Sequence, residues 1–169
     1  MHKVALKLIT LLIIAVVALA SCKQKRLPAN KNSINKEYYE PLEKSIIGNW
    51  ETTYIKITYA SYKKTDSSHI FEDNFKDPKS GKAQSTYYDN GTFIAWFKLA
   101  NGKKVGETKG EWKTIGDSLH VSYPYLGKNI TASYHITQTK EGFEGRVIYD
   151  WDDDGTLDDN LFMKTKRIK

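Results

Sequence analysis

Cysteine is almost absent from this chain. Cys22 is the one thiol among 169 residues, so no disulfide can form within it. Arginine is scarce too: Arg26, Arg146 and Arg167 are the only arginines among 26 basic residues. Arginine is the side chain suited to bidentate contact with phosphates and base edges, so its scarcity argues against a nucleic-acid partner. A permanent membrane helix wants about 20 apolar residues, whereas the longest run here, residues 8–20, holds 13 and is broken by Thr10. There is no nucleophile elbow, no phosphate-cradling glycine loop and no His-Glu-x-x-His helix, so the chain is not read as an enzyme. Nor do strands alternate with helices in a βαβ pattern.

The N-terminus is rich in signals. His2, Lys3 and Lys7 form a basic segment, the apolar run follows, and it ends in Leu19-Ala20-Ser21-Cys22. Small residues ahead of a cysteine in this position resemble the lipobox of bacterial lipoproteins. The resemblance implies that residues 1–21 are a signal peptide and that Cys22 is lipidated on sulfur and on its new amine, with the bilayer as first partner. Lys3 and Lys7 leave with the signal, so 24 of the 26 basic residues remain against 20 acidic ones, a net of +4. Residues 22–36 are polar, carry Pro28 and show no apolar period, and read as a flexible tether. Lys23, Lys25, Arg26, Lys31 and Lys36 either solvate that tether or add attraction to anionic headgroups, roughly 1 kcal/mol per charge near the surface. Lys23 stands where Asp is the inner-membrane retention signal of enteric lipoproteins. No acidic cluster resembling a Bacteroidetes surface-export signal follows. The expected location is the outer membrane, on its periplasmic face.

Residues 37–169 are enough for one domain with a real core. Asn35 as N-cap, with Tyr38, Tyr39 and Leu42 on one side, predicts a short helix over 35–45. Beyond it the chain is strand-like. Trp50, Tyr54, Ile55, Ile57 and Tyr59 suit a half-buried strand over 49–60. Residues 61–82 are charged and long for a connection, with a candidate short strand at 68–72. Asn90-Gly91 then joins 83–89 to 92–99 as a hairpin. Over 104–115, Glu107, Lys109, Glu111 and Lys113 alternate with Gly106, Thr108, Gly110 and Trp112, the pattern of a strand with one wet face. Further strands follow over 119–123, 130–139, 143–151 and 160–168, with 124–129 as a loop. Eight evenly spaced strands joined by short turns predict an all-β, up-and-down antiparallel barrel, which removes exposed edges.

Gly48-Asn49-Trp50, opening the first strand after a short helix, resembles the Gly-x-Trp of lipocalins. With Asn90-Gly91-Thr92-Phe93, Gly110-Glu111-Trp112 and Gly116-Asp117-Ser118-Leu119, the region from 46 to 168 resembles the lipocalin-like lipoproteins of Bacteroidetes-type bacteria. That resemblance implies an eight-stranded barrel and a small-molecule cavity; it brings no catalytic residues. The residues expected to face inward include Trp50, Thr52, Tyr54, Phe93, Ala95, Phe97, Thr108, Trp112, Tyr123, Tyr134, Tyr149 and Met163. Aromatic rings with a few hydroxyls suit a small, largely apolar ligand. The same residues also serve as an ordinary barrel core, in which Gly106 and Gly110 relieve strand coiling. In the competing reading the barrel is inert and grips another envelope protein, through residues 61–82 or an outer patch of Ile94 and Trp96.

One loop carries a sharper local signal. Asp150, Asp152 and Asp154 before Gly155 match the first half of a calcium loop, with the Thr156 carbonyl and Asp158 as further ligands. The twelfth position is Leu161, where a bidentate Glu is needed, so the alternative is a solvated acidic turn. Calcium is the one cofactor the sequence suggests. His120 and His135 fall on neighbouring strands without a third metal ligand, and nothing builds a triad around His69.

Overall fold

The structure, a computed structural model, describes residues 39–65, 67–125 and 127–169. Cys22, the signal segment and the tether lie outside the described residues. Among the described residues no helix is long and apolar enough to cross a membrane.

A four-residue helix, α1 (Leu42–Ser45), leads into β1 (Gly48–Tyr59). A 3-10 turn at Tyr62–Lys64 and β2 (His69–Asp73) follow. Then come β3 (Lys82–Tyr87), β4 (Thr92–Lys98), β5 (Lys104–Ile115) and β6 (Ser118–Tyr125). The chain ends with β7 (Lys128–Gln138), β8 (Gly142–Tyr149) and β9 (Asp159–Ile168). From β3 to β9 each strand pairs antiparallel with the next, and β9 returns to β1 from Asn49↔Ile168 to Thr58↔Asn160. β1, β3 and the strands up to β9 thus close an eight-stranded, up-and-down antiparallel barrel. β1 divides its second edge: β3 takes Gly48–Glu51 and the added strand β2 takes Ile55–Tyr59.

Four local expectations are corrected. The helix begins after Pro41 rather than spanning 35–45; proline disfavours helical backbone in the residue before it, and Tyr39 lies outside the helix. The region 124–129 is not a loop, because β6 and β7 stay paired through Pro124↔Asn129 and Tyr125↔Lys128. Proline is tolerated there because the β5–β6 ladder has already stopped at Glu111↔Ser122, leaving no bond on that side to lose. Tyr54 does not face inward. A bulge places Thr53 as an extra residue between the Thr52↔Thr165 and Tyr54↔Lys164 pairs, and period two then sends Ile55, Ile57 and Tyr59 to the core. Tyr54 lies outside, edge-on to Phe162 at 5.9 Å, with Glu72 of β2 beside it. Finally, Ile94 and Trp96 are half-buried rather than an open patch. The Lys104 ammonium sits 3.7 Å over the Trp96 ring, and Trp96 Nε1 donates to Gln84.

The end of the barrel beside α1 is closed. Leu42 and Ile46 cap it, and Trp50, only 4% exposed, packs edge-on to Phe143 at 4.9 Å. Trp50 Nε1 donates to the Ile46 carbonyl at 2.7 Å. The Arg167 guanidinium lies 4.3 Å over the indole and donates to the carbonyls of Ser45 and Ile47. One arginine therefore ties the last strand, the first strand and the plug together.

Candidate functional site

The eight aromatic residues among the twelve expected to face inward are the cavity candidates, and they separate into three groups. Trp50, Phe93 and Trp112 belong to the packing toward the closed end. Phe93 is stacked on Tyr87 at 5.4 Å, and Trp112 stands edge-on to Tyr87 at 5.9 Å. The Trp112 Nε1 donates to the carbonyls of Tyr88 and Thr92. Gly110 leaves no void here. A Cβ on it would strike the Ser122 carbonyl oxygen and lie 2.7 Å from both the Phe93 ring and the Tyr123 Cβ. Tyr54 and Phe97 form the second group, away from the interior. Tyr54 is on the outer face, and Phe97 is a rim residue, 36% exposed, lying across Gly81.

Tyr123, Tyr134 and Tyr149 make up the third group: Tyr123 stands edge-on to Phe93 at 5.8 Å, and Tyr149, the last residue of β8, lies toward the end away from α1. All three pack partly exposed against the core, in company with Ile55, Tyr59, Trp151 and Met163. β7 sends Ile130, Ala132, Tyr134 and Ile136 inward by strict alternation. Burial pushes the Tyr134 hydroxyl pKa up, and the nearby Tyr123, Tyr87 and Tyr149 add to the shift. Burial raises Tyr123 as well, with Tyr149 and Tyr125 contributing. Both therefore remain neutral donors at physiological pH. Tyr87 is also raised by burial, with Tyr123 adding to the shift and Ser85 opposing it. Among the described residues the hydroxyls of Tyr123, Tyr134 and Tyr149 make no hydrogen bond. A recess of about 150 Å³ at the closed end, between α1 and the β7–β8 turn, is smaller than an ordinary ligand site of roughly 300 Å³ or more.

The acidic loop, residues 150–158, folds against the corner after β1. Lys63 and Lys64 both have left-handed backbone (φ 51° and 61°). Successive amides in that conformation form an anion-binding concavity: Lys63 N–H donates to Asp152 and Lys64 N–H to Asp154. Asp154 also accepts from Thr156 N–H at 2.8 Å and from the Ser61 hydroxyl. Asp158 accepts from the Ser61 hydroxyl at 3.2 Å. Of the expected calcium ligands, Asp150 and Asp152 come together, but their third companion is Asp159. One carboxylate oxygen from each lies within 4.8 Å of the others. Asp154 and Asp158 are outside that group, engaged in joining the loop to the corner. Asp159 escaped the sequence reading, although period two back from Leu161 puts it on the inward face of β9. It is fully buried, and burial raises its carboxyl pKa.

The Thr156 amide is the chief reason that Asp154 has a lowered pKa, with Lys64 and Ser61 adding to it. A lowered acid gives stability that is present above its unfolded pKa of about 3.9 and lost as pH falls through the lower folded value. On acidification below about pH 4, the Lys64 and Thr156 amide signals should therefore shift together. Asp154→Asn should abolish this joint acid step; its persistence would contradict the assignment. The histidines have separate partners: His120 meets Ser133 at 2.7 Å and His135 meets Asp117 at 3.4 Å.

No family model matches the chain, and no curated protein matches it. Among solved structures it is similar to a lipocalin-like protein from Bacteroides uniformis ATCC 8492. Identity is 12%, with 71% of this chain and 98% of that chain covered, at a TM-score of 0.37. The eight-stranded barrel described above rests on this chain's own strand order and its β1–β9 closure.

Proposed function

We propose that this chain is a lipoprotein anchored through Cys22 in the outer membrane, and that its barrel carries a small, largely apolar molecule in the half away from α1. The observation that carries the reading is a set of three tyrosines, Tyr123, Tyr134 and Tyr149, half-exposed against the core and with hydroxyls that have no hydrogen-bond partner among the described residues. These hydroxyls are not fully buried, so a ligand with one or two acceptors takes them over from water while the rings cover its apolar body. The tether then keeps the carrier at the membrane while the barrel samples the periplasm.

Native mass spectrometry of the gently purified chain from residue 23 onward should show an organic mass in excess of the protein. Tyr123, Tyr134 and Tyr149 changed together to Phe keep the apolar wall and remove the hydroxyls. Each lost hydrogen bond should weaken binding roughly three- to tenfold, so the triple variant should come out nearly empty. A bare mass for the parent chain would sink the carrier reading.

A second reading, an envelope interaction module with an inert barrel, is favoured by β2. That strand pairs only with β1 among the described residues, and it exposes Ile70 (53%) and Phe71 (45%). An unpaired edge bearing apolar side chains is suited to adding a strand from a partner. Crosslinking from position 71 in the native envelope distinguishes the two: capture of one envelope protein alongside a bare native mass favours the module.

A further inference from the structure

Asp150, Asp152 and Asp159 bring one carboxylate oxygen each to within 4.8 Å of one another. That span is about two calcium–oxygen bonds end to end, so a single ion can touch all three. A separate observation also points to a missing partner. Asp159 is 0% exposed, and while its Oδ2 accepts the amides of Trp151 and Asp152, its Oδ1 is buried with no hydrogen-bond donor. Asp158 Oδ1 is likewise buried without a donor. No lysine or arginine forms an ion pair with any of the three clustered carboxylates among the described residues; Lys128 is held by Asp153. Three crowded acids, one with a buried bare oxygen, call for a positive charge at their centre.

We propose that Asp150, Asp152 and Asp159 bind one divalent cation of the calcium class at the junction of the loop and β9. Loop amides already hold the ligands in position. Asp150 accepts from Asp154 and Gly155, and Asp152 from Asp154 and Lys63. The remaining oxygens that calcium takes, up to six or eight, come from water and backbone carbonyls. The ligand set differs from that of the Asp-x-Asp-x-Asp-Gly motif, because the third motif aspartate is spent on the 61–64 corner. The ion fixes Trp151, which packs 5.0 Å from Tyr149. The proposal does not depend on the barrel carrying an organic ligand.

The test uses the full chain in detergent, with calcium, magnesium and terbium as probes. Millimolar calcium should raise the melting temperature, and EDTA should reverse the rise. Terbium should emit through excitation of Trp151 and be displaced by calcium. Asp159→Asn should weaken both responses about tenfold or more, since affinity follows the number of charged ligands. Trp151→Phe should keep the calcium shift and lose the emission. Asp150→Asn and Asp152→Asn take over if Asp159→Asn does not fold, with the same loss expected. Identical melting in calcium and EDTA overturns the site and leaves a proton on Asp159 as what neutralises it. An undiminished calcium response in the aspartate variants overturns it as well, assigning the ion to exposed acids. An equal response to magnesium overturns the calcium class.

Discussion

Trp50→Ala is expected to destabilise the barrel by about 3–5 kcal/mol, the range for removing a buried large aromatic. The indole is 4% exposed and touches three parts of the chain at once. It meets Phe143 on β8, the Arg167 guanidinium on β9 and the Ile46 carbonyl behind α1. Alanine leaves a cavity against Phe143, strips the guanidinium of its aromatic face and orphans a buried carbonyl. Urea unfolding checks this: the midpoint should fall sharply at an unchanged slope. Trp112→Ala is the comparison. That ring is only half-buried, so the loss should be visibly smaller. Equal losses would show that the α1 end is not the anchor of the fold.

Gly110→Ala carries the second large effect, a loss of about 1–3 kcal/mol from adding one methyl group. The new Cβ would meet the Ser122 carbonyl oxygen, a backbone atom of the neighbouring strand that cannot swing aside. The Phe93 ring, 2.7 Å from the same point, would have to leave its edge-on contact with Tyr123 at 5.8 Å. The melting temperature should drop by several degrees per kcal/mol, and the near-ultraviolet dichroism should change with the aromatic pair. Gly106→Ala makes an instructive contrast. Nothing lies within 4 Å of its Cβ position, but its φ of +61° is left-handed, so only a conformational cost of roughly 1–2 kcal/mol applies. A Gly110→Ala protein that melts normally with unchanged dichroism would mean that the two strands can part there at little cost.

The contrast between these glycines also shows what was legible beforehand. Alternation revealed every barrel strand, because a half-wet pleated strand must repeat every two residues. It set both glycines on the inner face, where they relieve coiling; a ring fills the space at one, and the other turns a bulge on β5. Period two fails wherever a residue is inserted. The extra Thr53 sent Tyr54 outside, and composition carries no mark of that insertion. In the acidic loop the aspartates were conspicuous, but their division of labour was not. Which carboxylates gather and which serve as fasteners depends on Lys63 and Lys64 turning left-handed, a decision made 90 residues earlier in the chain. Asp159 was within reach, since it shares a face with Leu161.

The closing of β9 on β1 has a kinetic consequence. Asn49 and Ile168 are partners, so the barrel cannot shut until β9 has been delivered. Before that, both β1 and β8 present bare edges, and the loop that must be closed to join the ends is almost the whole domain, which makes for slow folding. The barrel is thereby kept open along its length until β9 pairs, and that strand acts as the latch. A product cut short before β9 would have lost the Arg167 clamp as well as the seam, leaving adhesive strands with nothing to pair with but one another.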